Sequence, residues 1–235
     1  MLIYGNRMFN MQYDVFRSSV KALPLISREF LRLITAGQKG FGVQLNRWQD
    51  AGKVIKLRKG FYILNENDRK INPSRLFIAK ELYSPSYVSM EYALSYYGLI
   101  PERVTDITCI TSKKTAVFRN ALGKFIYQHL DQACFTGFLE SEDEAGLKYF
   151  IATPEKATVD FLYLNQRLFQ TGSERSRTIR SIHGKKDNYQ SVLTESLRFQ
   201  NTGGLNRQML SKYAGLFHSQ KLKRIIDALI GVKNV

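Results

Sequence analysis

Cysteine, histidine and acidic side chains are all scarce in this chain. Only Cys109 and Cys134 occur among its 235 residues. Each sits inside an apolar, strand-like run, away from any C-x-x-C or His-rich spacing. A disulfide framework and a zinc site are therefore not expected, and both residues read as buried, reduced thiols. His129, His183 and His218 are scattered, and none has a second His or a Cys at a metal-ligand offset. No apolar run approaches the length that crosses a bilayer, and the opening residues MLIYGNRMFNMQY lack the apolar core of a secretory signal. These absences predict a cytoplasmic protein with no membrane partner. The patterns G-x-x-x-x-G-K-[ST], H-E-x-x-H and G-x-S-x-G are also missing, so the usual phosphate-loop, zinc and serine chemistries lack support.

The shortage of acid leaves 35 Lys+Arg against 20 Asp+Glu, a formal net charge of +15. Residues 1 to 75 carry 14 basic and 5 acidic side chains, net +9; residues 76 to 160 carry 8 and 11, net −3; residues 161 to 235 carry 13 and 4, net +9. Two basic ends around a mildly acidic middle assign any polyanion contacts to the ends and make nucleic acid the leading partner. With 44% hydrophobic residues the chain is long enough to bury a sizeable core.

Phe9 to Val20 has the apolar spacing of an amphipathic first helix, which Pro24 terminates. Ser27 can cap a second helix with Phe30, Leu31, Leu33 and Ile34 as its core stripe and Arg28 and Arg32 on the wet side. Glycines 37, 40 and 42 mark a turn. In the following FGVQLNRWQDAGKVIKLRKGFYIL, residues Phe41, Leu45 and Trp48 share one helical face, while Val43, Asn46, Arg47 and Asp50 lie opposite. Gly52 stops this helix, and the period then changes to two. Ile55 and Leu57 point one way and Lys56 and Arg58 the other, before Lys59-Gly60 turns the chain into Phe61 to Leu64. Helix, helix, glycine-rich turn, helix, basic hairpin is the order of a winged helix-turn-helix.

Asn65 to Asn72 is polar and reads as a linker. Pro73 precedes a helix with Leu76, Phe77, Ala79, Leu82 and Tyr83 for burial. Ser89 can cap another helix, with Tyr92, Ala93 and Tyr96 buried and Gly98 closing it. Strand signals follow at Asp106 to Thr111, Thr115 to Phe118, Lys124 to Leu130, Ala133 to Leu139 and Leu147 to Ala152, with Glu140 to Gly146 as an exposed acidic hairpin loop. Pro154 opens a further helix. From Asn165 the chain is mostly helical apart from the basic stretch GSERSRTIRSIHGKKDN, and Leu222, Ile225, Ile226 and Leu229 form a core stripe. The expected class is α+β: a winged helix-turn-helix over residues 1–68, a mixed α+β middle domain over 73–164, and a basic helical C-terminal region over 165–235.

The runs YVSMEYALSYYGLIPE (Tyr87 to Glu102) and ATPEKATVDFL (Ala152 to Leu162), behind the N-terminal pattern with Gly52-Lys53-Val54, Arg58-Lys59-Gly60 and Phe61-Tyr62, resemble the AbiEi-type antitoxins of type IV toxin-antitoxin systems. The resemblance covers roughly residues 10 to 165, and the chain departs from the family pattern at Met90 and Tyr92. It implies a bacterial transcriptional regulator whose winged helix binds inverted repeats in the promoter of its own operon. It also implies an antitoxin that counters a nucleotidyltransferase-like toxin without a stable complex, and no cofactor is expected.

On this reading Gln44, Asn46 and Arg47 are the candidate base readers, because Asn and Gln pair with adenine and Arg with guanine in the major groove. Arg28, Arg32, Lys39, Lys53, Lys56, Arg58 and Lys59 are the candidate phosphate contacts. Trp48, Phe61, Tyr62 and the tyrosines at 87, 92, 96 and 97 are expected to pack rather than to stack on bases. Two other classes compete. A metal-dependent nuclease would use Asp131, Glu140, Glu142, Asp143, Glu144 and Glu155 with Lys156 nearby, but most of these crowd one loop. An interaction adaptor would use the winged helix without DNA. The sequence favours a protein with no catalytic turnover, in which Glu155, Lys156 and Asp160 are a helix start and its charge pairing.

Overall fold

The computed structural model describes residues 11–36, 40–169 and 189–231. It is a mixed α+β structure with two sheets. The N-terminal part runs α1 (Tyr13–Val20), β1 (Ile26–Ser27), α2 (Arg28–Ile34), α3 (Phe41–Asp50), β2 (Val54–Arg58) and β3 (Phe61–Leu64), with an antiparallel sheet in the order β1-β3-β2. Ser27 caps α2 as expected, its hydroxyl accepting the Phe30 N–H at 3.2 Å. The two-residue strand β1 is too short to leave a period-two signal. The start of the expected first helix at Phe9 lies outside the described residues.

Aromatic packing holds this part together. Phe16 of α1 stacks on Trp48 of α3 with ring centroids 4.7 Å apart, and Phe41 meets both rings edge-on or tilted at 5.8 and 5.9 Å. Val20, Ile26, Leu31, Leu45, Val54 and Leu64 complete the core. Leu33, expected in the α2 stripe, is instead 74% exposed. At one residue beyond Arg32 it follows the wet side of the helix.

The hairpin β2–β3 serves two cores. Val54, Tyr62 and Leu64 face the aromatic cluster, whereas Ile55, Leu57, Phe61 and Ile63 pack into the larger core of the rest of the chain. The period-two rule requires this division once Val54 pairs with Leu64 and Ile55 with Ile63. Asn120 fastens the junction by donating its side-chain N–H to the Leu57 carbonyl at 3.1 Å.

The larger body contains α4 (Arg75–Leu82), β4 (Ser86–Val88), α5 (Met90–Tyr96), β5 (Ile107–Thr111), β6 (Ala116–Asn120), β7 (Gly123–His129), β8 (Phe138–Glu142), β9 (Lys148–Ala152) and α6 (Pro154–Leu164). Its six strands run in the order β6-β7-β5-β4-β9-β8. The β5–β7 and β4–β9 pairs are parallel and the others antiparallel. The strand expected from Ala133 is broken: Gln132–Cys134 forms a 3-10 turn, and β8 starts only at Phe138. Gly137 explains the break. Its φ of +80° is not strand geometry, and the 2.7 Å that an added Cβ would have to the Tyr213 ring requires glycine at this point. Tyr96 is 57% exposed rather than buried, and Tyr87 belongs to β4, stacked on Phe138 at 4.7 Å. Cys109 and Cys134 are free and buried.

Helix α6 is buried from Lys156 through Leu162. Thr153 caps it, Pro154 opens it, and neither Lys156 nor Asp160, ion-paired one turn apart, reaches solvent. Asp160 also accepts hydrogen bonds from Tyr87 (2.9 Å) and Ser89 (2.8 Å). Burial pushes the Asp160 carboxyl up, and the Lys156 ammonium and the two hydroxyls only partly oppose it. After residue 165 come α7 (Tyr189–Ser191), continuing into a π-turn at Val192–Ser196, then α8 (Arg207–Gly215) and α9 (Gln220–Ile230), whose Leu222, Ile225, Ile226 and Leu229 are buried as expected.

Two stability predictions follow from these polar contacts. Lys156→Met strands a buried carboxylate and is expected to cost about 3–5 kcal/mol in urea denaturation, part of which Lys156→Met/Asp160→Asn recovers. At the β8–β9 turn, the Asp143 carboxylate accepts N–H groups from Ser74, Ala145 and Leu147 at 2.9–3.0 Å. Burial alone would raise its pKa, but these bonds outweigh that and hold it below the usual range. The stability they give is present above the unfolded pKa of about 3.9 and is lost as pH falls through the lower folded value. Asp143→Ala should therefore cost about 1–2 kcal/mol near neutrality, with the urea midpoints of variant and parent converging in acid.

Candidate nucleic-acid interface

Helix α3 presents one clear outward face. Gly40 precedes it in the left-handed region at φ +95°. Its end is closed by the Lys53 N–H on the Trp48 carbonyl at 2.9 Å. Because Phe41, Leu45 and Trp48 are buried, Val43, Asn46, Arg47 and Asp50 must face outward, and all four are exposed. The Asn46 side-chain oxygen accepts an N–H from Gln49 at 3.1 Å. Arg47 has no ion-pair partner among the described residues.

Gln44 does not belong to this face. It is half-buried, and its amide clamps the Met11 backbone: the Met11 N–H donates to Oε1 at 3.0 Å and Nε2 donates to the Met11 carbonyl. With both ends of the amide committed to α1's approach, Gln44 is a positioning group. Its spacing, three after Phe41 and four before Trp48, is the sequence signal for that placement.

The basic residues separate into groups. Gly60, at φ +88°, turns the hairpin so closely over α2 that a Cβ there would stand 3.2 Å from the Arg28 Cβ. Lys59 is thereby brought beside Arg28, with Arg32 one turn further along α2, and all three are exposed. Glu29 is the acid of this group. Hydrogen bonds from its own N–H and from Ser27, assisted by Arg32 and Arg28, hold its carboxyl below the usual range. Lys56 is exposed on the Val54–Tyr62 side of the hairpin. Lys53 lies at the other end of β2, its ammonium 4.4 Å from the centre of the Tyr13 ring. Lys39 falls outside the described residues.

Arg58 does not join Lys56 on one face. A register shift between Lys56 and Arg58 turns its guanidinium onto Phe61 at 4.2 Å and Phe118 at 5.5 Å. Burial there pushes its pKa down. Arg58 thus binds the hairpin to β6. The alternation of the sequence shows no trace of the extra residue in the ladder.

The polar segment 65–72, expected to be a linker, also positions this unit. Asp68 accepts the Tyr13 hydroxyl at 2.7 Å and an Arg17 N–H at 3.3 Å, and the Lys70 N–H bonds the Lys21 carbonyl at 2.8 Å. The carboxylates considered for a nuclease do not converge. Glu140 pairs with Lys148, Asp131 approaches His129, Asp143 ties its own turn to Ser74, and Glu155 accepts the Asn206 N–H.

These placements separate residues that hold the fold from residues that face outward. Gln44→Ala is expected to lower stability by about 1 kcal/mol in urea denaturation, while Arg47→Ala changes it by less than about 0.5 kcal/mol. In comparisons with known proteins, the chain matches no family model and no curated protein.

Proposed function

We propose that the N-terminal part is a winged helix-turn-helix that binds duplex DNA, with α3 as its recognition helix and the short hairpin as its wing. The observation that carries this reading is the exposed Asn46–Arg47 face on a helix whose other side is locked by Phe41, Leu45 and Trp48. A reader must be rigid in its seat and polar where it meets base edges. The element order and the sheet order β1-β3-β2 support it, as does the cationic group Arg28, Arg32 and Lys59 at the flank, suited to phosphates. Lys53 and Lys56 add further charge, while Asp50 has to sit clear of the backbone.

The resemblance carried by YVSMEYALSYYGLIPE and ATPEKATVDFL extends the proposal. The protein is a transcriptional autorepressor and antitoxin of a bacterial type IV system. It recognises inverted repeats in its own promoter, opposes a nucleotidyltransferase-like toxin without holding it in a stable complex, and has no turnover of its own.

The test is binding to the DNA upstream of its own operon as a function of salt. With five phosphate contacts, log K against log salt has a slope of about −4.5. Lys59→Ala should reduce that slope by about one unit and weaken all duplexes alike. Arg47→Ala should cost about 1–3 kcal/mol on the repeat and little on unrelated DNA. Equal affinity of the parent protein for repeat and unrelated duplexes overturns the proposal. Restored growth on coexpression with the neighbouring toxin is the expected result for the antitoxin half.

A further inference from the structure

The turn between β5 and β6 borders a concavity of about 650 Å³ lined by Tyr83, Ser112, Lys113, Lys114, Thr115 and His129. Every one of these six side chains carries a polar hydrogen, and two are ammoniums. Lys113 is held in place, its ammonium donating to the Ser84 carbonyl and lying 5.5 Å from the centre of the Tyr83 ring. The Lys114 carbonyl accepts the Tyr83 hydroxyl at 3.0 Å, and among the described residues its ammonium has no partner. The Thr115 hydroxyl oxygen accepts the His129 backbone N–H at 3.3 Å, which leaves its own hydrogen free to donate. His129 Nδ1 lies 2.9 Å from the Lys113 carbonyl. That carbonyl can only accept, so Nδ1 carries the hydrogen and spends it there, and Nε2 bears the ring's lone pair. One acid stands nearby: Asp131, 3.8 Å from Nε2 with its side chain 88% exposed.

A fixed and a free ammonium, with the hydroxyls of Ser112 and Thr115, border one hollow and match a tetrahedral oxyanion, which accepts several hydrogen bonds at once, and the His129 ring at its edge can report on it. The aromatic wall of Tyr83 offers a surface for whatever the anion is attached to. We propose that this turn is a phosphate-ester site, distinct from the N-terminal interface, that takes the phosphate of a nucleotide. The group is supplied either by a free mononucleotide or by a nucleic-acid strand. The hollow lies at the end of the sheet where Thr111 pairs with His129, whereas Asn120, at the opposite end of β6, is the residue bonded to the hairpin. At a rise of about 3.3 Å per residue, the ends of β6 lie roughly 13 Å apart, and between them Phe118 meets both the Tyr83 ring at 5.7 Å and the Arg58 guanidinium at 5.5 Å.

The site is tested on the full chain by following the His129 ring resonances during separate titrations with inorganic phosphate, adenosine 5′-monophosphate and a DNA duplex. His129→Gln assigns the signal. A saturable shift is expected, and the probe that saturates at the lowest concentration identifies the source. Lys114→Glu should raise the apparent dissociation constant by about tenfold or more, the loss expected for one charge-assisted bond, without changing the thermal midpoint. The Tyr83 bond uses the main chain of Lys114 and survives that substitution. Arg47→Ala should leave the mononucleotide titration unchanged even where it weakens DNA, so failure of this site and failure of the DNA reading are distinguishable. No saturable shift with any of the three probes, or one that Lys114→Glu leaves unaltered, overturns the proposal.

Discussion

The structure depends on a strand pair that contributes to a core on each of its two faces, with only Lys56 of its paired residues exposed. In most small hairpins one face meets the core and the other meets water. Here Val54, Tyr62 and Leu64 close the aromatic core below α3, and Ile55, Leu57, Phe61 and Ile63 close the core above the six-stranded sheet. Helix α3 is therefore joined to β6 through the hairpin as well as to α1 through the Phe16–Trp48 stack. The bulge that sends Arg58 toward Phe118, and the Asn120 bond to Leu57, are consequences of that double burial. A strand that meets a second sheet must place its polar groups against it or satisfy them at the seam.

How far the sequence shows this depends on whether a feature is local. Helix α3 is legible because Phe41, Leu45 and Trp48 recur at helical spacing and Gly40 and Gly52 bracket them. Helix α9 is legible for the same reason. The outward face of α3 is legible too, since Asn46 and Arg47 lie opposite the aromatic stripe. What escaped was set by contacts distant in sequence. Gln44 is turned inward by the backbone 33 residues earlier. Arg58 is turned by a register shift that alternation cannot reveal, and the strand from Ala133 is broken at a glycine facing a ring from α8. The hollow at residues 112–115 escaped because its lining joins three separate segments, none of which is a motif alone.

The buried pair in α6 illustrates the same limit in a different form. Lys156 and Asp160, one turn apart, have the spacing of an ordinary solvent-facing pair, which on sequence alone marks a structural role without showing its burial. Their burial comes from the surroundings: Tyr87 and Ser89 from the β4–α5 junction supply hydrogen bonds, and the rings of Tyr87 and Phe217 flank the ammonium at 5.6 and 5.1 Å. A central helix carrying two charges is tolerable only where each has a partner of opposite sign and the remaining lone pairs are engaged.

The double-sided hairpin also bears on how such a chain can be taken apart or recombined. A reading head joined by a flexible tether can be cut off and exchanged for another, because the tether holds no share of either core. Severing this chain at the polar segment after Leu64 would leave the detached head with Ile55, Leu57, Phe61 and Ile63 bare on adjacent strands, a surface prone to self-association. The remaining body would lose the apolar cover over Phe118. The chemistry of the outer face of α3 is accordingly easier to change by point substitutions than by transplantation of the whole N-terminal unit.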